Sequence, residues 1–275
     1  MSTLGLLIRP ALFTAGFCGT CFCGAAIVQY ERRKPTLISG HIFSNWNYSA
    51  PKYPDFRNKI NTWVRQLPTS EKIAGTTIFV NFLVFAAWRS KSLKPVMTRY
   101  FLSKPTKPKI HLSPMILSCF SHISLLHFGL NMAALYSFSS FANSLLGSEQ
   151  LVSLYLSAGV ASSLVSMTHK LVSKTAFPSL GASGAVLGVV AYTCVVRPES
   201  GMLVFFIPLA AGTALKAIMV FDCVGLIAKW RTIDHAAHLG GCLYGIWYAT
   251  YGQKMFQDNR RLIVEKWLQI KRKFV

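Results

Sequence analysis

The 275-residue chain is 52% apolar and only 14% charged, and its mean hydropathy is +0.39. This composition favours one multispanning membrane domain and argues against two soluble domains. The net charge of +20 comes from 29 Lys and Arg against nine Asp and Glu, and almost all of it lies outside the apolar runs. A soluble protein this basic would be expected to bind nucleic acid, but charge placed between apolar runs instead favours contact with anionic lipid head groups.

Uncharged runs that approach the length of a membrane span recur along the chain. About 20 apolar residues cross a hydrocarbon core roughly 30 Å thick. The run 110–148 is too long for one span, so its helix is placed at about 113–140. Lys216 and Asp222 interrupt the apolar sequence that follows residue 215. We therefore predict an all-α polytopic membrane protein with seven membrane helices, at residues 10–30, 73–88, 113–140, 150–169, 175–196, 200–215 and 235–253.

Charge divides the chain into four segments. These are a first membrane helix (1–30), a basic extramembrane linker (31–72), a membrane core (73–253) and a basic C-terminal tail (254–275). Lys and Arg are shared too evenly between the two sides for the positive-inside rule to orient the chain. Alternation of the spans still predicts that the helices at 175–196 and 235–253 both begin on the side that carries the N-terminus.

Three of the seven cysteines, Cys18, Cys21 and Cys23, lie close together in the first apolar run. Their spacing is compatible with a redox or metal site. No His or acidic residue flanks them within the run, and Cys also packs as a small apolar residue. Packing is therefore the favoured interpretation, and no disulfide framework is predicted.

Two residues suited to covalent peptide hydrolysis stand near the starts of predicted membrane helices. Ser183 lies in the sequence Gly-Ala-Ser-Gly, and His238 lies in Ala-His-Leu-Gly-Gly. Polar and ionisable side chains at membrane depth are costly and are functional hypotheses by default. A serine becomes a nucleophile when a base within hydrogen-bond reach takes its proton. We therefore predict that Ser183 and His238 form a dyad that cleaves peptide bonds within the membrane.

Small residues predict how the helices of this dyad meet. Gly241 and Gly245 follow His238 on one helical face, and glycines four residues apart permit close helix packing in membranes. Contact with the glycine face of the serine helix would bring the Ser183 hydroxyl to the His238 ring. The alternative is that these glycines serve packing alone and that the serine and histidine are incidental. The glycines predicted to be structural near the site are Gly181, Gly184 and Gly241.

A second polar group lies in the predicted helix 113–140. His127 and Asn131 are four residues apart, about 40° around a helix, so both side chains can point to one place. Together with the backbone N–H of Ser183, they could stabilise the oxyanion that forms during acyl transfer. His122 is about 140° away from His127 on a helix, and we interpret it as a structural ring that is hydrogen-bonded between helices.

No carboxylate is evident beside His238 in the sequence. Asp234, four residues earlier, could complete a triad, but an Asp that precedes a helix more often caps its N-terminus. A dyad is therefore predicted. His235 and His238 could instead bind a metal, yet no glutamate base accompanies them as in HExxH metalloproteases. The sequence thus predicts no metal and no cofactor.

Taken together, the motifs around Ser183 and His238, and the pattern His-x4-His-x3-Asn that ends at Asn131, resemble the rhomboid intramembrane serine proteases. The resemblance extends over nearly the whole chain. It implies a six-helix rhomboid core preceded by one extra N-terminal transmembrane helix, the "1+6" arrangement of mitochondrial members. Carried over residue by residue, Ser183 matches the nucleophile, His238 the general base, His127 and Asn131 the oxyanion-stabilising pair, and His122 the structural histidine.

The resemblance also implies a cellular setting and a substrate class. A multi-pass protein of the mitochondrial inner membrane is expected, in contact with membrane lipid and acting on single-span transmembrane proteins; the oligomeric state stays open. Many bacterial members carry a Tyr four residues after the serine, packed on the catalytic histidine, whereas this chain has Leu187. The alternative function is that of a catalytically silent rhomboid-like protein that binds transmembrane clients. A binding protein would not need Ser183 and His238 together with an oxyanion pair.

Overall fold

The computed structural model describes residues 3–33, 56–105, 110–204 and 207–274, which are mostly helical. Residues 34–55 of the predicted linker lie outside this set. In chain order the elements are α1 (Thr3–Arg33), α2 (Phe56–Gln66), α3 (Thr69–Ala87), α4 (Lys94–Tyr100), α5 (Ser113–Leu117) with a 3-10 turn (Ser118–Phe120), α6 (Leu125–Leu146), α7 (Ser148–Val172), α8 (Ser183–Val196), β1 (Gly201–Val204), β2 (Ile207–Ala210), α9 (Ala211–Ile227), α10 (His235–Trp247), a π-helical turn (Tyr248–Gly252) and α11 (Gln253–Lys271).

Length and apolar composition identify the helices that are able to cross a membrane. Among the described residues, Gly5–Arg33 and Ser148–Val172 meet both requirements. The pair Ser113–Phe120 and Leu125–Leu146 makes a third if it counts as one span. These features support a helical protein with several membrane spans, and the count of seven stays a prediction.

The single helix predicted at 113–140 is wrong. The chain bends by 89° between the 3-10 turn and α6. Ser121 is extended, and Ser124 accepts a hydrogen bond through its side chain from the His127 N–H, which caps α6. Serine hydroxyls offer the backbone this alternative to a continuous helix, and the absence of charged residues throughout the run concealed the break.

The helix predicted at 200–215 is also wrong. An antiparallel hairpin pairs Gly201–Val204 with Ile207–Ala210, and α9 begins only at Ala211. Pro208 lacks the N–H that a helix interior needs, and short apolar runs do not distinguish strand from helix. Because α9 continues to Ile227, Asp222 lies within a helix, and its side chain is fully buried.

Two further boundaries differ from the predicted segments. The helix expected from residue 175 begins at Ser183. The predicted tail 254–275 is largely helix α11, which continues α10 through the π-helical turn and packs on α1. Phe256 of α11 is buried against Ala25 and Ala26, and Trp267 Nε1 donates to the Glu31 carboxylate at 2.8 Å.

The core is centred on α8, which packs against α7 and α10. Ten of the fourteen residues of α8 are buried, as expected for an apolar helix surrounded by neighbours. At one end of the bundle, Leu6 of α1 packs with Met115 and Met167. Met167 follows Ser166, which hydrogen-bonds to Asp234 at the start of α10. The start of α1 and the start of α10 therefore lie at the same end of the bundle; that they lie on one side of a membrane stays a prediction.

Candidate active site

The structure brings Ser183 and His238 together although 55 residues separate them in the chain. The Ser183 Oγ lies 2.9 Å from His238 Nε2. Each residue lies in the first turn of its helix, α8 or α10. The His238 side chain is 18% exposed, so the pair lies at a partly open end of the bundle. This geometry allows a proton to pass from the serine hydroxyl to the imidazole.

The contact between α8 and α10 depends on glycine. A Cβ at Gly241 would overlap the backbone carbonyl of Gly184, and a Cβ at Gly245 would overlap that of Gly188. The predicted meeting of two glycine faces is therefore present, with backbone packed directly on backbone. Close approach of this kind sets the short distance between Ser183 and His238.

Asp222 supplies the carboxylate that the sequence did not reveal. Its Oδ1 lies 3.1 Å from His238 Nδ1 and 2.6 Å from His235 Nδ1. One oxygen can accept from both rings because it carries two lone pairs. The arrangement Ser183–His238–Asp222 thus has the geometry of a triad, and the expectation that no carboxylate adjoins His238 is wrong.

The only signal for Asp222 in the sequence was an acidic residue that interrupts an apolar run. The helix predicted at 200–215 ended before Asp222, whereas the observed helix α9 runs from Ala211 to Ile227 and contains it. His235 is buried beside it and packs edge-on against Phe221, with Trp230 on another side. Apolar walls strengthen the electrostatic interaction between a carboxylate and its partners.

The segment before Ser183 is held by two histidines. His122 is fully buried, and its Nε2 accepts a hydrogen bond from the Ala182 N–H at 3.3 Å. The His127 ring lies edge-on to His122, with 5.0 Å between ring centroids. Gly181 has a φ of +138°, and a Cβ there would lie 2.6 Å from His127 Cε1. Glycine is therefore required both by the backbone conformation and by the adjacent imidazole.

Asn131 lies one helical turn after His127 on α6 and is buried. Its Nδ2 donates to the His127 carbonyl at 2.8 Å. The amide has a second N–H, which the first hydrogen bond leaves available. His127 adjoins the nucleophile segment directly, whereas Asn131 in this structure contacts the backbone of His127. Their shared role in binding an oxyanion stays a prediction.

A second polar cluster connects the starts of α8 and α10. Asp234 caps α10 by accepting from the Ala237 N–H at 3.1 Å, as predicted. Its other oxygen accepts from Lys170 Nζ at 2.8 Å and from the Ser166 hydroxyl at 2.5 Å. Ser179, in the segment before Ser183, hydrogen-bonds to both Lys170 and Asp234. Lys170, whose side chain is 1% exposed, was not among the predicted site residues.

This cluster sets the charge of Asp234. Burial acts to raise the pKa of the carboxyl, but the Lys170 ammonium and the hydroxyls of Ser166 and Ser179 outweigh it and hold the pKa below its ordinary value. Ser179 also exchanges two backbone hydrogen bonds of 2.9 Å with Ser103, in the chain after α4. The ion pair therefore connects α7, the nucleophile segment and the N-terminus of α10.

The part of the chain that the structure describes contains no candidate metal site. No group of three or more His, Cys, Asp or Glu side chains there could hold a metal ion. In the cysteine cluster of α1, Cys18 Sγ lies 3.8 Å from the Ser157 carbonyl of α7. That contact agrees with a packing role for this cysteine.

The sequence matches a known protein family and several known proteins. Residues 110–254 match the family description "Rhomboid domain". The chain is 45% identical over 272 residues to the human presenilin-associated rhomboid-like protein, mitochondrial, covering 96% of this chain and 72% of the relative. It is 36% identical over 290 residues to a zebrafish presenilin-associated rhomboid-like protein A, mitochondrial, covering 96% and 76%. It is 33% identical over 186 residues to yeast Rhomboid protein 1, mitochondrial, covering 66% and 54%.

Proposed function

This chain belongs to the rhomboid family, and from that premise we propose that it is an intramembrane serine protease of the mitochondrial inner membrane. Its substrates would be single-span membrane proteins, cut in or near their transmembrane segments. The observation that carries the proposal is the 2.9 Å contact between Ser183 Oγ and His238 Nε2, with Asp222 3.1 Å from the other ring nitrogen. The mitochondrial setting is supported by the names of the relatives.

The reaction begins with His238 neutral and its proton on Nδ1. That N–H donates to Asp222 Oδ1, so Nε2 is free to accept the Ser183 proton. The Ser183 oxygen attacks the carbonyl carbon of the substrate, and the carbonyl oxygen becomes an oxyanion. His238 then gives its proton to the leaving amine as the C–N bond breaks, which leaves an acyl-enzyme. Water, deprotonated by His238, attacks the ester and releases the second product.

The oxyanion is stabilised at the N-terminus of α8. The first backbone N–H groups of a helix have no partner within the helix, and that of Ser183 belongs to this set. The His127 ring adjoins Gly181, and Asn131 follows on the same side of α6. Donors already held in place stabilise developing charge without reorganisation, which makes them effective in a water-poor site.

The proposed membrane arrangement is the "1+6" type. α1 is the additional N-terminal span, and it packs along α7 rather than lying apart from the core. Ser183 and His238 would open toward the side on which α1 begins. Membrane substrates gain little from burial of apolar surface, since lipid is comparably apolar. Selection would therefore depend on how readily a substrate helix unwinds at the site.

The decisive experiment is labelling by a fluorophosphonate probe, which reacts with activated serines. Purified wild-type protein is expected to be labelled and to cleave a reconstituted single-span substrate, whereas Ser183→Ala should do neither. His238→Ala should be as inactive as Ser183→Ala, because losses within one catalytic unit are not additive. A folded wild-type protein that stays unlabelled would instead indicate a catalytically silent binder of transmembrane clients.

A further inference from the structure

Helix α2 has an apolar face that the proposed catalytic site does not use. Phe56 and Trp63 are 75% and 62% exposed, and Ile60 and Val64 are also exposed. A helix turns by about 100° per residue, so these four side chains lie within one arc of about 100°. None of the eleven residues of α2 is buried. An exposed aromatic face of this kind marks an interaction surface.

The charges of α2 are placed around that face. Arg57 and Lys59 fall on its two flanks, about 100° and 60° from Phe56, and Arg65 is on the opposite side. The helix contains three basic and no acidic residues. Long cationic stems that flank an apolar strip can lie along it while the charged ends reach outward. This pattern is complementary to a surface with an apolar interior and a negatively charged outer layer.

Helix α2 is connected directly to α3, which contains most of the predicted membrane span 73–88. Only Leu67 and Pro68 separate the two helices, and Lys72 Nζ donates to the Arg65 carbonyl at 3.0 Å. α3 exposes a row of apolar side chains, including Phe82 and Leu83, each about half exposed. α2 itself would extend only about 16 Å, roughly half the thickness of a hydrocarbon core. Helix α2 is therefore too short to cross a membrane, and it is attached to the N-terminal end of α3.

We propose that α2 is an interfacial helix that binds the surface of a bilayer containing anionic phospholipid. Phe56, Ile60, Trp63 and Val64 lie in the boundary between head groups and acyl chains, while Arg57 and Lys59 contact lipid phosphates. Helices with aromatic residues on one face and Lys or Arg around it bind membranes in this orientation. The surface would hold the start of α3 at a fixed depth. This inference requires α3 to be in the membrane but does not depend on proteolytic activity.

The test uses the full-length protein in vesicles, with an environment-sensitive fluorescent amino acid placed at Ile60. The matched control carries the same fluorophore at Asn61, which points to the polar side. In vesicles of phosphatidylcholine and phosphatidylglycerol that contain brominated acyl chains, we expect blue-shifted, quenched emission at position 60 and little quenching at 61. Replacing phosphatidylglycerol by phosphatidylcholine, or introducing Arg57→Gln with Lys59→Gln, should weaken the association roughly 10- to 30-fold, since each cation near the surface contributes about 1 kcal/mol.

Each other outcome overturns the proposal. Equal quenching at positions 60 and 61 would show that α2 has no preferred face in the membrane. Protection of position 60 without bromolipid quenching, accompanied by crosslinking to a second copy, would identify a protein partner instead. Quenching that is insensitive to phosphatidylglycerol and to the double substitution would show that binding of α2 does not require anionic lipid. Fluorophosphonate labelling of Ser183 should be retained throughout, so failure of this test is distinguishable from failure of the proposed activity.

Discussion

The Asp222 carboxylate determines which nitrogen of His238 carries the proton. Its Oδ1 is 3.1 Å from Nδ1 and is also held by His235. A carboxylate can only accept, so it favours the tautomer with the proton on Nδ1 and the lone pair on Nε2. The same hydrogen bond restricts the orientation of the His238 ring.

Asp222→Asn should preserve the shape of the site but lower kcat. An amide can present N–H to Nδ1 and thereby favour the wrong tautomer, which in soluble serine proteases costs roughly 10,000-fold. We expect a loss of kcat of at least roughly 100-fold with little change in KM. Asp258→Asn on the exposed face of α11 is the matched control. A turnover equal to that of wild type would show that Asp222 does not orient the base.

Asn131→Ala should lower kcat, but by less than Ser183→Ala does. One oxyanion donor contributes roughly 100- to 1000-fold in soluble serine proteases, and with His127 and the Ser183 N–H retained we expect the lower end. The variant also removes the hydrogen bond from Asn131 to the His127 carbonyl. Asn259→Ala is a suitable control because Asn259 makes the same bond, to the Met255 carbonyl, on the exposed side of α11. Identical kcat values for both variants would exclude Asn131 from the mechanism.

Two kinds of interaction position α8, which carries Ser183, against α10, which carries His238. Beyond the first turn, Gly241 and Gly245 rest on the backbone of α8. At the other end of the contact, the pair Lys170–Asp234 connects α7 to the start of α10 and, through Ser179, to the segment before Ser183. A change at either place should move Ser183 relative to His238 without touching them.

Gly241→Leu tests the glycine contact. The new side chain would meet the Gly184 carbonyl, and a displacement of about 1 Å can reduce the rate roughly 100-fold. Overpacking should also cost about 1–3 kcal/mol in stability. We expect loss of both substrate cleavage and fluorophosphonate labelling in a protein that still inserts into the membrane. Leu243→Ile, at an exposed position of the same helix, should behave as wild type; normal labelling of Gly241→Leu would refute the packing argument.

The Lys170–Asp234 pair should make stability depend on pH. The pKa of Asp234 is below its ordinary value in the folded protein, so its contribution is complete above about pH 4, the range of an unperturbed Asp, and is lost as the pH falls through the folded pKa. Asp234→Asn should reduce this acid dependence while retaining a cap, which thermal unfolding from pH 3 to 7 would show.

The companion variant Lys170→Met leaves a buried carboxylate unpaired. Removing one partner of a buried ion pair typically costs about 3–5 kcal/mol. Combining it with Asp234→Asn should recover part of that loss, because neither charge then remains. Arg261→Met, which breaks an exposed ion pair with Glu265 in α11, is the control and should cost about 1 kcal/mol or less. Strict additivity of the Lys170 and Asp234 substitutions would show that the pair is not coupled.

The fold was predictable where its causes are local. Gly-Ala-Ser-Gly and Ala-His-Leu-Gly-Gly predicted the two side chains that the structure brings to within 2.9 Å, and the glycine spacing indicated how α8 and α10 meet. The hairpin before α9 was missed although Pro208 disfavours a helix interior, since a short apolar run is compatible with strand and helix alike. That error concealed Asp222. Lys170 was overlooked for a different reason: a lysine near the end of an apolar run normally extends to the interface, and only the folded chain brings Asp234 to it.

The 89° bend between the 3-10 turn and α6 has a consequence for the second half of the reaction. Ser121 to Ser124 form no continuous helix, and backbone of that kind is tolerated at membrane depth only where it is buried in protein or lines a water-filled space. His122 in this segment and His127 in the first turn of α6 lie against the residues just before Ser183. The acyl-enzyme needs a water molecule, and the surrounding lipid provides none. For the proposed reaction, we expect this break in the helix to be the place where the water required for deacylation enters.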